Sequence, residues 1–267
     1  MSFSFNHLGN LGHLGNQMFQ YAALIGIGKR HNRKYCIPHK SSFGQAYYQD
    51  LRSTIYDAFD IRCPQGISRF PTVQEATFHF DSTLFNRPPY EDTNLYGFFQ
   101  SEKWFKHAEA EVREAFTFKK EYSETAEFMR THISGEVIAL HVRRTDYLTN
   151  PNHEALGLDY YQAALEDISI PDTKSVIIFT DDPEWAKEQE LFPDERFFVS
   201  ETDCAYTDMA LMSMCDYHII GNSTFSWWGA WLAGERSKQV IAPKQWFGAP
   251  LGGNDMSDLY CDGWKVL

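Results

Sequence analysis

The sequence lacks any Cys-x-x-Cys pair. Its five cysteines, Cys36, Cys63, Cys204, Cys215 and Cys261, are odd in number and scattered. That pattern argues against a zinc site and a disulfide framework, and predicts reduced thiols. No apolar run approaches the ~18 residues of a membrane span. The first residues, Met1 to Asn6, have neither a basic segment nor the apolar stretch of a signal peptide. A soluble, cytoplasmic chain is expected, with no more than loose association with a membrane. Positive charge is scarce, with 24 basic against 36 acidic side chains and a net charge of −12. Such a surface repels nucleic acid and anionic lipid, so the few clustered basic residues stand out. Also absent are an Asp-x-Asp triplet, the Gly-x-Gly-x-x-Gly dinucleotide fingerprint and a P-loop. Gly28-Lys29-Arg30 has neither the Ser/Thr nor the upstream Gly of the last.

What is present is an ordinary globular composition over 267 residues, with 43% hydrophobic and 22% charged side chains. Aromatics are high at 16%, which suits core packing first and stacking on sugar rings second. A Gly/Asn-rich turn over Asn6–Asn16 leads into a helix over Gln17–Arg30. Further along, Tyr35–Ile37 reads as a strand, Tyr47–Phe59 as a helix and Thr72–Phe80 as extended. Asp81–Thr93, with Pro88-Pro89, reads as loop, Leu95–Phe99 as a strand and Lys103–Phe116 as a helix. The Lys/Glu-rich stretch Lys119–Ser134 reads as the junction between two halves, 1–125 and 126–267. Beyond it, strands at Val137–Val142, Ser175–Phe179, Phe197–Val199, Tyr217–Ile220 and Gln239–Ala242 alternate with helices. Those helices fall at Asp159–Ile168, Pro183–Leu191, Thr207–Cys215 and Thr224–Leu232. Apolar strands alternating with helices imply an α/β fold with a parallel sheet covered on both faces.

Five segments carry candidate chemistry. His141-Val142-Arg143-Arg144-Thr145-Asp146 ends an apolar strand, where ligands bind in an open parallel sheet. Paired arginines in an acidic protein suit bidentate recognition of phosphate, with surface ion pairing as the plainer alternative. Asn222-Ser223-Thr224 opens a helix, presenting backbone N–H groups and a positive dipole end to an anion, or simply capping a tryptophan-rich core helix. Gly15-Asn16-Gln17 closes a glycine turn that allows close backbone approach. Asp181-Asp182 lies at another strand end, where Asp182 suits the N-cap before Pro183 and Asp181 is left as a functional candidate. Asp208 stands in a helix's first turn, favourable to the dipole on any reading.

In this order, Leu14–Ala22, His141–Tyr147, Phe179–Asp182, Asn222–Leu232 and Asp258–Trp264 resemble the α-1,2-fucosyltransferases of glycosyltransferase family 11 along nearly the whole chain. The resemblance implies a GT-B-like fold of two facing Rossmann-like domains with parallel sheets. It puts the acceptor on 1–125 and GDP-fucose, the donor substrate, on 126–267, with no cofactor or metal. The implied reaction is inverting transfer of fucose from GDP-fucose to a galactoside hydroxyl. Arg143 and Arg144 would hold the diphosphate, Asn222, Ser223 and Thr224 would contact phosphate, and Asp208 would hold guanine. Asp181 and His141 would support the donor side, and Gly15, Asn16 and Gln17 would close over it. Arg143, Arg144 and Asp146 are the catalytic candidates. Thr145 departs from the family's usual Gly, and Leu148–Leu156 gives no family match, leaving the proton acceptor among Asp146, His153 and Glu154. The alternatives are a fucosyltransferase of α-1,6 or protein O-linked type, or a nucleotide-sugar-binding module without turnover.

Overall fold

The computed structural model describes residues 2–42, 54–168 and 174–267. The chain divides into two compact units, Met1–Lys119 with Asn254–Cys261, and Lys120–Gly253 with Asp262–Leu267. The boundary thus falls at 119/120, not at the expected 125/126, and Asn254–Cys261 returns to the first unit. Asp258 is what holds the returning segment on the first unit. Its carboxylate accepts from the Phe80 N–H (2.9 Å) and His79 Nδ1 (3.1 Å) and pairs with Lys103.

In the first unit the elements run β1 (Ser2–Ser4), α1 (Leu14–Arg30), β2 (Lys34–Cys36), α2 (Ile55–Ala58), β3 (Thr72–Gln74), α3 (Ser82–Asn86), β4 (Thr93–Tyr96) and α4 (Glu109–Ala115). The strands form a parallel sheet in the order β2-β1-β4-β3. Helix α1 is buried on nearly every face, as an apolar helix without a polar stripe must be. Of the expected helix Tyr47–Phe59, residues 47–53 lie outside the described residues, and the described part holds α2. Asp81–Thr93 is not all loop. Asp81 accepts from the N–H groups of Thr83 (2.8 Å) and Leu84 (3.0 Å) and starts α3, and the two prolines follow the helix end. The strand expected over Leu95–Phe99 stops at Tyr96, because Gly97 and Phe99 take φ of 152° and 54°. The Glu75 carboxylate clamps that turn by accepting from Phe98 N–H (2.7 Å) and Phe99 N–H (3.0 Å). Lys103–Phe116 opens with two 3₁₀ turns, and only its last part is α-helical.

The second unit contains α5 (Lys120–Thr131), β5 (Val137–Val142), α6 (Leu158–Ile168), β6 (Ser175–Thr180), α7 (Pro183–Lys187), β7 (Phe197–Val199), α8 (Ala205–Met212), β8 (Tyr217–Ile219), α9 (Thr224–Ala233), β9 (Gln239–Ala242) and β10 (Lys265–Val266). The stretch read as a junction is therefore the helix α5, which packs on α8. Its sparse apolar positions hid it: Ala126 is its one fully buried residue. The sheet is parallel in the order β10-β9-β8-β5-β6-β7. All six residues of β5 are buried, which is why it reads as a continuous apolar run and not an alternation. Ile138, Leu140 and Val142 pack with Tyr161, Leu165 and Ile168 of α6, each large aliphatic contributing about 1.5–3 kcal/mol on burial. Trp227, Trp228 and Trp231 of α9 pack together, with ring centroids 4.9 and 5.2 Å apart for the two edge-on pairs. The three tryptophans are core, as the plainer reading had it. Among the described residues no helix is long and apolar enough to cross a membrane.

Candidate active site

Chain order in the second sheet reverses at β5. From it the chain runs outward through β6 and β7 on one side, then through β8 and β9 on the other. The crevice between the carboxyl ends of β5 and β8 is the topological switch point, where open α/β sheets bind ligands. His141, Arg143 and Arg144 come to it from the end of β5, and Gly221 to Thr224 from the end of β8. The approach is tight. A Cβ on Gly221 would lie 3.0 Å from the His141 carbonyl oxygen and 3.2 Å from its Nδ1, so glycine is what lets the two turns meet. Burial, helped by the nearby Arg143, pushes the His141 imidazole down to about 3. The ring is thus neutral, and its buried Nδ1 has no partner among the described residues.

The two arginines are held differently. Arg143 Nε lies 2.8 Å from Asp146 and its Nη1 lies 3.2 Å from Asp181. Burial opposes its charge, but these carboxylates outweigh burial and raise its pKa. Arg144 meets one carboxylate, Asp182, at 3.1 Å, and its guanidinium carbon lies 4.4 Å from the centre of the Trp185 ring. An aromatic face under a guanidinium fixes the plane of the fork without using its N–H groups. Both Nη groups of Arg144 have no bond among the described residues.

Asp181 uses both oxygens inside the protein. One accepts from Arg144 N–H (2.8 Å), and the other from the Thr145 hydroxyl (2.5 Å) and Arg143. The sequence reading gave Asp182 only the N-cap. It does accept from Trp185 N–H, at 3.4 Å, and it also holds Arg144. Trp185 went unnoticed, although as the third residue after the Asp182 cap it shares that cap's end of α7.

Ser223 caps α9, accepting from Phe225 N–H at 3.3 Å, and Thr224 is the first helical residue. The N–H groups of a first turn have no partner within the helix. Those of α9 lie at the end of β8, and the two guanidinium groups lie by the ends of β5 and β6, along the same carboxyl edge of the sheet. Asn222 is buried and structural on one side, its Nδ2 donating to the carbonyls of Glu154 (2.9 Å) and Trp246 (3.2 Å). Its Oδ1 is buried without a partner among the described residues. Tyr147 donates its hydroxyl to the Asn222 carbonyl at 3.0 Å, tying the loop after β5 to the turn after β8.

Asp208 stands apart from this cluster, beyond β7 in the first turn of α8. One of its oxygens accepts from the hydroxyls of Ser200 (2.6 Å) and Thr202 (2.8 Å). Burial raises its pKa in spite of those bonds. Neither hydroxyl was foreseen, since each joins Asp208 only through the fold of 200–208. Gly15, Asn16 and Gln17 belong to the first unit, at the start of α1. Asn16 accepts from Gln100 Nε2 (2.8 Å), and Gln17 is fully buried, accepting from Ile55 N–H (3.2 Å).

Two parallel α/β sheets, the second with guanidinium groups and a helix start along its carboxyl edge, make a GT-B-like fold. The chain belongs to glycosyl transferase family 11, whose family model matches residues 4–267. It is 28% identical over 302 residues to the O-antigen biosynthesis glycosyltransferase WbnK of Escherichia coli, covering 96% of this chain and 98% of that one. It is 30% identical to an alpha-1,2-colitosyltransferase of Escherichia coli, over 88% of this chain and 90% of the other. The human galactoside alpha-(1,2)-fucosyltransferase 1 is 26% identical, over 84% of this chain and 64% of its own length. In fold the chain is similar to POFUT1 crystallised with GDP, with a TM-score of 0.58, 13% identity and coverage of 90% and 97%. It is likewise similar to the NodZ alpha-1,6-fucosyltransferase soaked with GDP-fucose, with a TM-score of 0.56, 16% identity and coverage of 91% and 94%.

Proposed function

We propose that this glycosyltransferase is an inverting, metal-independent α-1,2-fucosyltransferase that transfers fucose from GDP-fucose to a galactoside hydroxyl. The observation that carries this reading is the gathering of Arg143, Arg144 and the start of α9 along the carboxyl edge of β6, β5 and β8 in an otherwise acidic protein. When the bond from fucose C1 to the phosphate oxygen breaks, its electron pair stays on the diphosphate while the sugar becomes oxocarbenium-like. Fixed guanidinium and N–H donors stabilise that growing charge. The acceptor hydroxyl attacks from the opposite face, which inverts the configuration, and its proton passes to a base. Asp146 is engaged by Arg143 at 2.8 Å, so it is better suited to orienting that guanidinium than to taking a proton. The engagement of both Asp181 oxygens by protein donors favours charge neutralisation by arginine over a metal held at that carboxylate.

The experiment is turnover of GDP-fucose with galactoside acceptors, with linkage analysis of the product, in the presence and absence of EDTA. An α-1,2-linked product formed equally well with chelator is expected. Loss of turnover on chelation, restored by Mn²⁺ or Mg²⁺, would overturn the metal-independent part. Hydrolysis of the donor without transfer to any acceptor would overturn the acceptor assignment, and binding without any turnover would leave a binding module. The 30% identity to a colitosyltransferase supports a second reading, in which the donor sugar is colitose, which is fucose without its 3-hydroxyl. Running GDP-colitose beside GDP-fucose decides between them by kcat/KM.

Asp208→Asn should weaken GDP binding with the fold intact. With one Asp208 oxygen held by Ser200 and Thr202, the other can accept from the N1–H or exocyclic amine of guanine, and an amide that turns its N–H there cannot. Discrimination of this kind costs about 1–3 kcal/mol, so a loss of roughly fivefold or more is expected in calorimetry. Unchanged GDP affinity with a wild-type melting curve would return Asp208 to a helix-dipole role.

A further inference from the structure

The loop from Thr145 to Gly157 bears one side chain whose surroundings exceed what packing alone demands. The His153 ring lies parallel to Tyr147, with centroids 4.5 Å apart and planes 10° apart, and 5.7 Å from Phe247. Tyr147 in turn has the Arg143 guanidinium 5.8 Å from its ring centre. The loop is fastened on all sides. Asn222 Nδ2 donates to the Glu154 carbonyl (2.9 Å), Gln245 donates to the Glu154 carboxylate (2.5 Å) and Gly248 N–H donates to the Asn152 carbonyl (2.9 Å). A Cβ on Gly248 would collide with the Pro151 carbonyl oxygen, so this approach requires glycine. The imidazole is therefore fixed in place on the same Tyr147 ring that the Arg143 guanidinium approaches.

The protonation of this ring follows from its two nitrogens. Burial lowers its pKa, with the Asp146 carboxylate raising it and the Arg143 guanidinium lowering it further, so the ring is neutral at pH 7 and carries one proton. Nδ1 is buried with no partner among the described residues. A buried N–H without an acceptor costs more than a carbonyl-like lone pair left unused, and orphaned buried N–H groups are correspondingly rare. The proton thus sits on Nε2. That atom is not among the buried polar atoms without a partner, and it makes no bond within the described residues, so it is the ring's reachable polar atom. An imidazole in this tautomer offers a donor to a ligand and no lone pair.

We propose that His153 is a fixed hydrogen-bond donor to an oxygen of the bound nucleotide sugar, and not the base of the reaction. The inference rests on the reading that the arginine crevice holds GDP-fucose. The oxygen belongs either to the diphosphate or to the sugar, and the two sources are separated by measuring GDP and GDP-fucose in parallel. The test compares His153→Phe, which keeps the ring stack without the donor, with His153→Gln, which returns an N–H near the position of Nε2. Both are followed by calorimetric affinity, by kcat and KM, and by thermal melting.

His153→Phe should lose about tenfold in affinity while melting like wild type, and His153→Gln should stay within roughly threefold. Loss for both ligands assigns the diphosphate oxygen, and loss for GDP-fucose alone assigns the sugar oxygen; either supports the proposal. Wild-type affinity and turnover in His153→Phe would make the ring a space filler and overturn it. Loss of kcat in both variants with donor affinity unchanged would make it the base and equally overturn it. Arg144→Ala serves as the control for the underlying reading. If Arg144→Ala loses donor affinity and His153→Phe does not, the arginine crevice stands and only the donor role of His153 fails. If the wild-type chain binds no GDP-fucose, both fail together.

Discussion

Arg144→Ala should lower kcat/KM by roughly 10²-fold or more, with a melting temperature close to that of wild type. The proposed role of this side chain is to grip the leaving diphosphate more tightly as charge develops on it, and removing a preorganised donor of that kind typically costs about 10²–10³ in rate. Its setting suits the role. One carboxylate and the Trp185 face orient the guanidinium, while both Nη groups are left without a bond among the described residues. Arg144→Lys keeps the charge and loses both the planar fork and the stack, so it should be nearly as harmful. Arg143→Ala should behave differently. Arg143 neutralises Asp146 and Asp181, so its loss leaves both carboxylates without that charge partner, lowering stability as well as turnover. A loss of about 1 kcal/mol would appear as roughly 2–4 °C in melting temperature. The drop should fall on kcat as well as KM in both variants, because a contact made only in the transition state changes the chemical step. Steady-state kinetics, GDP calorimetry and melting curves on the single mutants check this. If both alanine variants turn over within a few-fold of wild type, the phosphate assignment is wrong and the proposed function loses its main support.

Gly26→Ala should be the most destabilising single methyl that can be added to the first unit's long helix. Gly26 lies in the middle of α1, where a Cβ would overlap the Trp104 carbonyl oxygen and fall 2.7 Å from Phe105 Cα. Both neighbours are backbone of fully buried residues, so neither can swing aside. Overpacking usually costs about 1–3 kcal/mol, and more where the obstacle is rigid. A loss of at least about 3 kcal/mol is expected, or roughly 6–12 °C. Gly229→Ala in α9 is the matched control. Its added methyl meets the side chain of buried Met212, with Cγ at 2.8 Å and Cβ at 3.1 Å, and that side chain can turn aside in part where backbone cannot. Helix propensity favours alanine there by up to about 1 kcal/mol, which offsets part of the crowding, so this variant should lose clearly less melting temperature than Gly26→Ala. Equal melting of Gly26→Ala and wild type would mean that α1 and the turns at 104–105 separate more easily than their packing implies.

The sequence by itself determined the elements whose signals are local. The six apolar residues of β5 announce a strand buried on both faces, and they are all buried. Asp182 before Pro183, and Ser223 before Thr224, announce helix starts, and both side chains accept from the first turn. The parallel α/β class follows from such elements in alternation, because apolar strands joined through helices have few other ways to bury both faces. Where the signal was weak, the reading failed. The unit boundary falls at 119/120, where the stretch expected to be a junction begins, but few apolar positions marked that stretch as the helix α5, and α3 was hidden by the prolines that follow it.

Only the tertiary structure decided which groups face one another. Arg143 and Arg144 are adjacent in the chain, yet Asp181, Asp182 and Trp185, which distinguish them, come from the end of β6 and the start of α7. Asp208 is visible as a first-turn aspartate, but not that one of its oxygens is already taken by Ser200 and Thr202. Nothing in the segment Leu148–Leu156 predicts that Asn222 would bond the Glu154 carbonyl or that His153 would lie flat on Tyr147. The physical reason is one of range. Periodicity and capping act over a few residues and are written into any short stretch of sequence. Partners across a sheet are set by strand order and register, which are properties of the whole packed unit and of no one segment within it.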